Sequence, residues 1–157
     1  MRRVPIISTA VVAALATVGI LAVSGGAQAP TGQTIQFSEK TIAEKFVDAP
    51  PRARGENPGA GDTFLFSNQL RGPANARIGT LDAKCTFTRG GRSARGVCEG
   101  VFALADGDLY ASARLSTSDD TNGAITGGTR AYAGAEGTFT TRDRENAASQ
   151  TTITLLP

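Results

Sequence analysis

The stretch Leu81-Asp82-Ala83-Lys84-Cys85-Thr86-Phe87-Thr88-Arg89-Gly90-Gly91-Arg92-Ser93-Ala94-Arg95-Gly96-Val97-Cys98-Glu99-Gly100-Val101-Phe102-Ala103-Leu104 decides the fold. Gly90 to Ser93 form a turn-favouring cluster, and on both sides of it side-chain character alternates with the period of a half-buried strand. Folding the chain at that cluster sets Arg89 opposite Ala94 and Cys85 opposite Cys98. Directly opposed residues of an antiparallel pair stand close enough for a disulfide, so the hairpin and the Cys85–Cys98 bridge predict each other. In the chain-entropy model a bridge closing so short a loop stabilises by about 3 kcal/mol.

Working outward, Asp106-Gly107 reads as the next two-residue turn, with Ala105 facing Asp108. The face shared with the cysteines then carries Leu81, Ala83, Phe87, Gly100, Phe102, Leu104, Leu109, Ala111, Ala113 and Leu115, and is apolar throughout, as an interior must be. On the other face Lys84 lies across from Glu99, and the same register sets Arg114 on the far side of Glu99. A carboxylate between two cations on neighbouring strands is a structural arrangement worth at most about 1 kcal/mol per exposed pair, so Glu99 is not read as catalytic. Tyr110 falls on that outer face, as a surface or subunit-contact residue.

The same alternation recurs along the chain. Strands are predicted at Thr34 to Asp48, Asp62 to Leu70, Ala76 to Arg89, Ala94 to Ala105, Asp108 to Ser116, Gly123 to Gly127, Ala135 to Asp143 and Ser149 to Leu156. Ala49 to Gly61, with three prolines and three glycines, reads as a loop, and Thr129 to Ala133 as a single helical turn or a glycine-rich bend. Eight antiparallel strands with short turns predict an all-β fold, an eight-stranded up-and-down barrel, because closure removes exposed edges.

Ahead of this domain, Arg2 and Arg3, the apolar run Val4 to Val23 and the small residues Ala27 and Ala29 have the three parts of a secretory signal peptide. Residues 1–29 are therefore expected to be a leader and 30–157 the barrel domain, exported to a periplasmic or extracellular space where a disulfide persists. An uncleaved anchor is the alternative, since roughly 20 apolar residues just span a bilayer. No stable membrane insertion is expected after cleavage. The chain has 16 Lys plus Arg against 14 Asp plus Glu, and loss of Arg2 and Arg3 cancels the excess, which argues against a nucleic-acid partner. With no histidine and two cysteines among 157 residues, histidine-based metal sites, histidine triads and four-thiolate clusters are excluded, and neither a cofactor nor a metal is expected.

Chemistry must then come from carboxylates, amides and shape. Phe64, Phe66, Asn68 and Leu70 share one parity, which sets Asn68 as a polar group inside an apolar tube, needing an ordered water or a ligand, or else capping a loop near the rim. Glu39 follows Ile35 and Phe37 on one parity, while Glu44 lies between Ile42 and Phe46 on the other. Either could bring a carboxylate into the cavity, the alternative being two rim charges. The candidate ligand-binding set is Phe64, Phe66, Asn68, Leu81, Phe87, Phe102 and Leu104, and the candidate catalytic residues are Glu39 and Glu44.

Two segments carry a family resemblance. Gly61-Asp62-Thr63-Phe64-Leu65-Phe66-Ser67-Asn68-Gln69-Leu70, then Arg77-Ile78-Gly79 and Cys85, is similar to a run found in allene oxide cyclases. Ile125-Thr126-Gly127-Gly128-Thr129, through Ala131 and Gly134 to Gly137-Thr138-Phe139, resembles a glycine-rich run shared by those cyclases and the dirigent proteins. The chain thus resembles an exported, bacterial-type member of the allene oxide cyclase and dirigent superfamily. The resemblance implies a barrel, commonly a homotrimer, whose lumen binds an elongated hydrophobic or phenolic molecule. It also implies that Phe66 is a cavity wall, that Asn68 holds an ordered water and that Cys85 lines the pocket. The chain departs from the cyclases in two places: their first-strand glutamate would fall at Thr41 or Ile42, and their tyrosine after the fifth strand is replaced by Ser116.

Three functions compete: a secreted barrel that binds a hydrophobic or phenolic small molecule and directs its stereochemistry, a cofactor-independent cyclase or isomerase using Glu39 or Glu44, and an exported structural or inhibitory module with a filled core.

Overall fold

The computed structural model describes residues 32–49, 57–116, 120–144 and 147–157. The leader expected at 1–29 and the middle of the loop expected at Ala49 to Gly61 lie outside these. Eight strands follow in order: β1 (Thr34–Val47), β2 (Thr63–Arg71), β3 (Arg77–Arg89), β4 (Arg95–Leu104), β5 (Gly107–Ser116), β6 (Thr121–Gly128), β7 (Gly137–Arg144) and β8 (Ala147–Leu155). Each pairs antiparallel with its neighbour in sequence, and β8 closes on β1 from Thr34 opposite Thr154 to Glu39 opposite Ser149, giving a closed barrel. Among the described residues no helix is long and apolar enough to cross a membrane.

Period-two alternation builds the interior. Cys85 pairs with Cys98 and the two form the disulfide, while Lys84 pairs with Glu99, as expected. Two details of the expected register are corrected. Arg89 pairs with Arg95 rather than Ala94, because β3 bulges after Phe87, where residues 58–59 pack on the hairpin: Gly91 N–H donates to the Pro58 carbonyl at 2.8 Å, and a Cβ on Gly90 would stand 2.4 Å from that same oxygen. On the other side, Leu104 pairs with Gly107, so the turn is Ala105-Asp106. Gly107 is needed for a close approach instead, since a Cβ there would lie 2.2 Å from the Thr129 carbonyl. The shift of two residues preserves every face assignment but sets Arg114 opposite Val97 and Ser112 opposite Glu99, so Glu99 is not flanked by two cations.

One end of the barrel is solid. Leu70, Leu109, Ile153 and Leu155 are fully buried there, and the helical turn Arg130–Tyr132 between β6 and β7 brings Tyr132 in as a plug. That turn is fastened to β5 through Thr129, whose hydroxyl accepts from Asp108 N–H at 3.0 Å and donates to the Asp108 carboxylate at 3.1 Å. Burial keeps the Tyr132 phenol above its ordinary range, with Asp106 adding to the effect. Midway up, Phe37, Phe102 and Phe139 form an aromatic layer, with ring centroids 5.7 and 5.6 Å apart on either side of Phe102. Above that layer the lumen is open.

β1 bends to close this barrel. Its first part pairs with β8 and its later part with β2, where Thr41 pairs with Asn68 but Ala43 with Ser67. This one-residue bulge at Ile42 inverts the parity of everything after it. Ile42 is accordingly turned out and 57% exposed.

Candidate functional site

Above the aromatic layer lies a cavity of about 300 Å³, at the low end of small-molecule sites. The lumen is therefore not filled, which removes the premise of the filled-core module. One wall is apolar: Phe64, Phe66, Leu81, Ala83, the Cys85–Cys98 bridge, Phe102, Ala111, Ala113 and Leu115, all from β2 to β5. The facing wall is polar and comes mainly from β1 and β6 to β8, with Glu39, Thr41, Glu44, Thr121, Thr141 and Ser149, joined by Asn68 of β2.

Glu39 anchors the polar wall. It is 6% exposed, and its carboxylate accepts from Asn68 Nδ2 at 2.7 Å and from the Thr151 hydroxyl. The Thr151 and Thr141 hydroxyls are 2.7 Å apart. Because Thr151 spends its single proton on Glu39, Thr141 must donate to Thr151, leaving its own lone pairs for the cavity. Thr121, Thr141 and Thr151 pair in one row across β6, β7 and β8, so the fold delivers this hydroxyl side as a register feature. Asn68 is buried, and with its NH₂ committed to Glu39 its Oδ1 has no hydrogen-bond partner.

Glu44 reaches the same cavity from the other side of the bulge. Residues 39 and 44 have opposite parity, and one would face outward in a regular strand; the extra residue at Ile42 turns both to the lumen. Glu39 is buried near the aromatic layer and Glu44 is exposed toward the mouth. Glu99 also borders the cavity, but its strand position belongs to the outward set, opposite Lys84.

Of the candidate ligand-binding residues, Phe64, Phe66, Asn68, Leu81 and Phe102 line the cavity together. Phe87 and Leu104 do not, although they lie on the inner face. Phe87 is buried against Phe46, ring centroids 6.0 Å apart, and Leu104 pairs with Gly79 toward the solid end. The sequence reading missed Thr141 and Thr151. Their signal was present, since Thr141 shares parity with Phe139 and Thr151 with Ile153, both buried. Among the described residues no group of three or more acidic or cysteine side chains is placed to hold a metal ion.

No protein-family model matches this sequence, and no curated protein matches it. Solved structures do. The chain is similar to a pyocyanin demethylase, with a TM-score of 0.68 and 23% identity over 78% of this chain and 99% of that one. It is also similar to an exo-specific intermolecular Diels-Alderase, with a TM-score of 0.60 and 13% identity over 80% and 98% of the two chains. A third likeness is to a pterocarpan synthase dirigent protein, with a TM-score of 0.59 and 15% identity over 82% and 95%. At these identities the shared property is the barrel, and the dirigent likeness agrees with the resemblance seen in the sequence at the level of fold.

Proposed function

We propose that this protein is a small-molecule-binding barrel that fixes the conformation of a compact, mostly apolar or phenolic ligand and guides an isomerisation or ring closure within it. The observation that carries this reading is the division of the cavity into an apolar wall and a polar wall with the buried Glu39–Asn68 pair on the latter. The apolar wall takes up the ligand skeleton at roughly 25 cal/mol per Å² of area removed from water, before ordering costs. The Glu39 carboxylate then takes a proton from one atom of the ligand and returns it to another, so substrate and product share one formula. Fold neighbours named as a demethylase, a Diels-Alderase and a dirigent protein support small-molecule chemistry in such a lumen.

Export through residues 1–29 and assembly as a homotrimer belong to the same proposal. Leu65, Val97 and Tyr110, exposed on the outer wall of β2 to β5, are the surface such an assembly would use.

Native mass spectrometry of protein exported by its own host, followed by denaturing extraction, tests the reading. A co-purifying apolar molecule at fixed stoichiometry supports it and supplies the compound on which turnover is measured. With that compound at saturating concentration, Glu39→Gln should lose turnover by about 10²- to 10⁴-fold. Unchanged turnover and product stereochemistry would leave a purely binding and orienting role, in which shape alone selects the product.

A further inference from the structure

Around Glu39 the buried groups that the polar wall leaves for a ligand are acceptors, while Thr41, Thr121 and Ser149 bring neutral hydroxyls. Asn68 Oδ1 is a buried acceptor with no partner. The Glu39 carboxylate has lone pairs beyond the two taken by Asn68 and Thr151, and Thr141 offers lone pairs because its proton goes to Thr151. Among the described residues lining the cavity none is a lysine or arginine, while Glu39 and Glu44 both face it. Lys40 and Lys45, their neighbours on β1, fall on the opposite parity on their respective sides of the bulge and are exposed. The charged groups of the site are thus of one sign, two carboxylates beside a buried orphan acceptor and neutral hydroxyls, with no lysine or arginine among the described lining residues to answer them.

Resting on the ligand-binding reading, we infer that the cavity is selective for an organic cation: a compact apolar or aromatic molecule bearing a protonated amine or a protonated ring nitrogen. Its N–H donates to Asn68 Oδ1 and its charge lies beside the Glu39 carboxylate, supplying the counter-charge that a buried carboxylate otherwise lacks. Glu44, toward the mouth, adds to the field that draws a cation inward, and low-dielectric walls focus it. A carboxylate ligand meets the reverse at the buried end, acceptor against acceptor beside Asn68 and like charge against like beside Glu39, where burial weakens the screening by water. A neutral alcohol or phenol satisfies Asn68 but leaves Glu39 without counter-charge, and ranks between the two.

Three probes with one skeleton separate these cases at neutral pH and low salt: 1-naphthylmethylamine as cation, 1-naphthalenemethanol as neutral donor and 1-naphthoic acid as anion. The protein has no tryptophan, so naphthalene fluorescence reads uptake directly. The expected order of affinity is amine, alcohol, acid, with at least about tenfold between the first and last. Glu44→Gln removes one of the two facing charges and should reduce the ratio of amine to alcohol affinity severalfold, and Glu39→Gln should reduce it further. Acid binding as tightly as amine overturns the inference, as does an amine advantage that survives the Glu39→Gln/Glu44→Gln double variant. Uptake of none of the three overturns the ligand-binding reading itself and the inference with it.

Discussion

The Asn68 side-chain amide donates to the Glu39 carboxylate across 2.7 Å, linking β2 to β1 inside the barrel. The two residues are not directly paired: Asn68 pairs with Thr41 and Glu39 with Leu70, so the contact is a diagonal one on the inner face. Replacing Asn68 by leucine removes a donor from a buried carboxylate and should cost about 2 kcal/mol, read as a lower urea midpoint. The Glu39→Leu/Asn68→Leu pair should lose less than the sum of its single variants, because removing both partners leaves no orphaned group between them. Simple additivity would show that the two side chains are not coupled.

Gly123 is where the sixth strand makes room for the aromatic layer. It pairs with Phe139, and a Cβ built on it would lie 2.2 Å from the Phe139 ring. Phe139 also packs edge-on against Phe102 and lines the cavity, so the ring yields toward the open lumen. Gly123→Ala should destabilise by about 1 to 3 kcal/mol and reduce ligand uptake by pushing the ring toward the cavity. Equal stability and equal probe affinity in the variant would show that the layer is soft.

Tyr132 gives the solid end a pH dependence. Burial, with Asp106 adding to it, raises its pKa above 10.0, so the folded state holds this proton more tightly than the unfolded chain does. Its contribution to stability is complete below about pH 10 and is lost as pH rises through the folded-state value. Urea midpoints measured between neutral pH and strong alkali should fall less steeply for Tyr132→Phe than for the parent chain. Parallel curves would remove Tyr132 from the alkaline transition.

The Cys85–Cys98 bridge joins the central hairpin across a separation of 13 residues. Reduction, or the Cys85→Ala/Cys98→Ala variant, should lower stability by about 3 kcal/mol in the chain-entropy model. Since both cysteines line the cavity, probe affinity in the still-folded reduced protein reports separately on the wall. A midpoint indifferent to reductant would mean that the hairpin is held closed in the unfolded ensemble by other contacts.

Asp62 is a structural acid. It is fully buried, and its two carboxylate oxygens accept from Ala49 N–H at 2.9 Å and Gly59 N–H at 2.8 Å, fastening the end of β1 to the start of β2. Asp62→Ala strands both donors and should cost about 3 kcal/mol, while Asp62→Asn should recover part of the loss. Equal losses for the two would show that neither hydrogen bond contributes.

Local alternation alone determined that this chain makes eight strands, which side chains of β3, β4 and β5 face inward, and that Cys85 meets Cys98. These survive errors of detail because side-chain direction repeats every two residues: placing the Ala105-Asp106 turn one position late shifted the pairing by two residues, which misassigned Arg114 but left the inner face intact. The site followed other rules. Whether Glu39 or Glu44 entered the lumen was an open alternative on parity, and the bulge at Ile42 brought in both. The bulge lies just past Glu39, where β1 leaves its pairing with β8 and continues along β2, a position set by the register of its partners and not by alternation within β1. Likewise the carboxylate of Glu39 meets Asn68 from 29 residues away and Thr151 from 112. Contacts at such separations are set by the closed register of the whole sheet, so only the tertiary structure could join the acid, the amide and the hydroxyls into one polar wall.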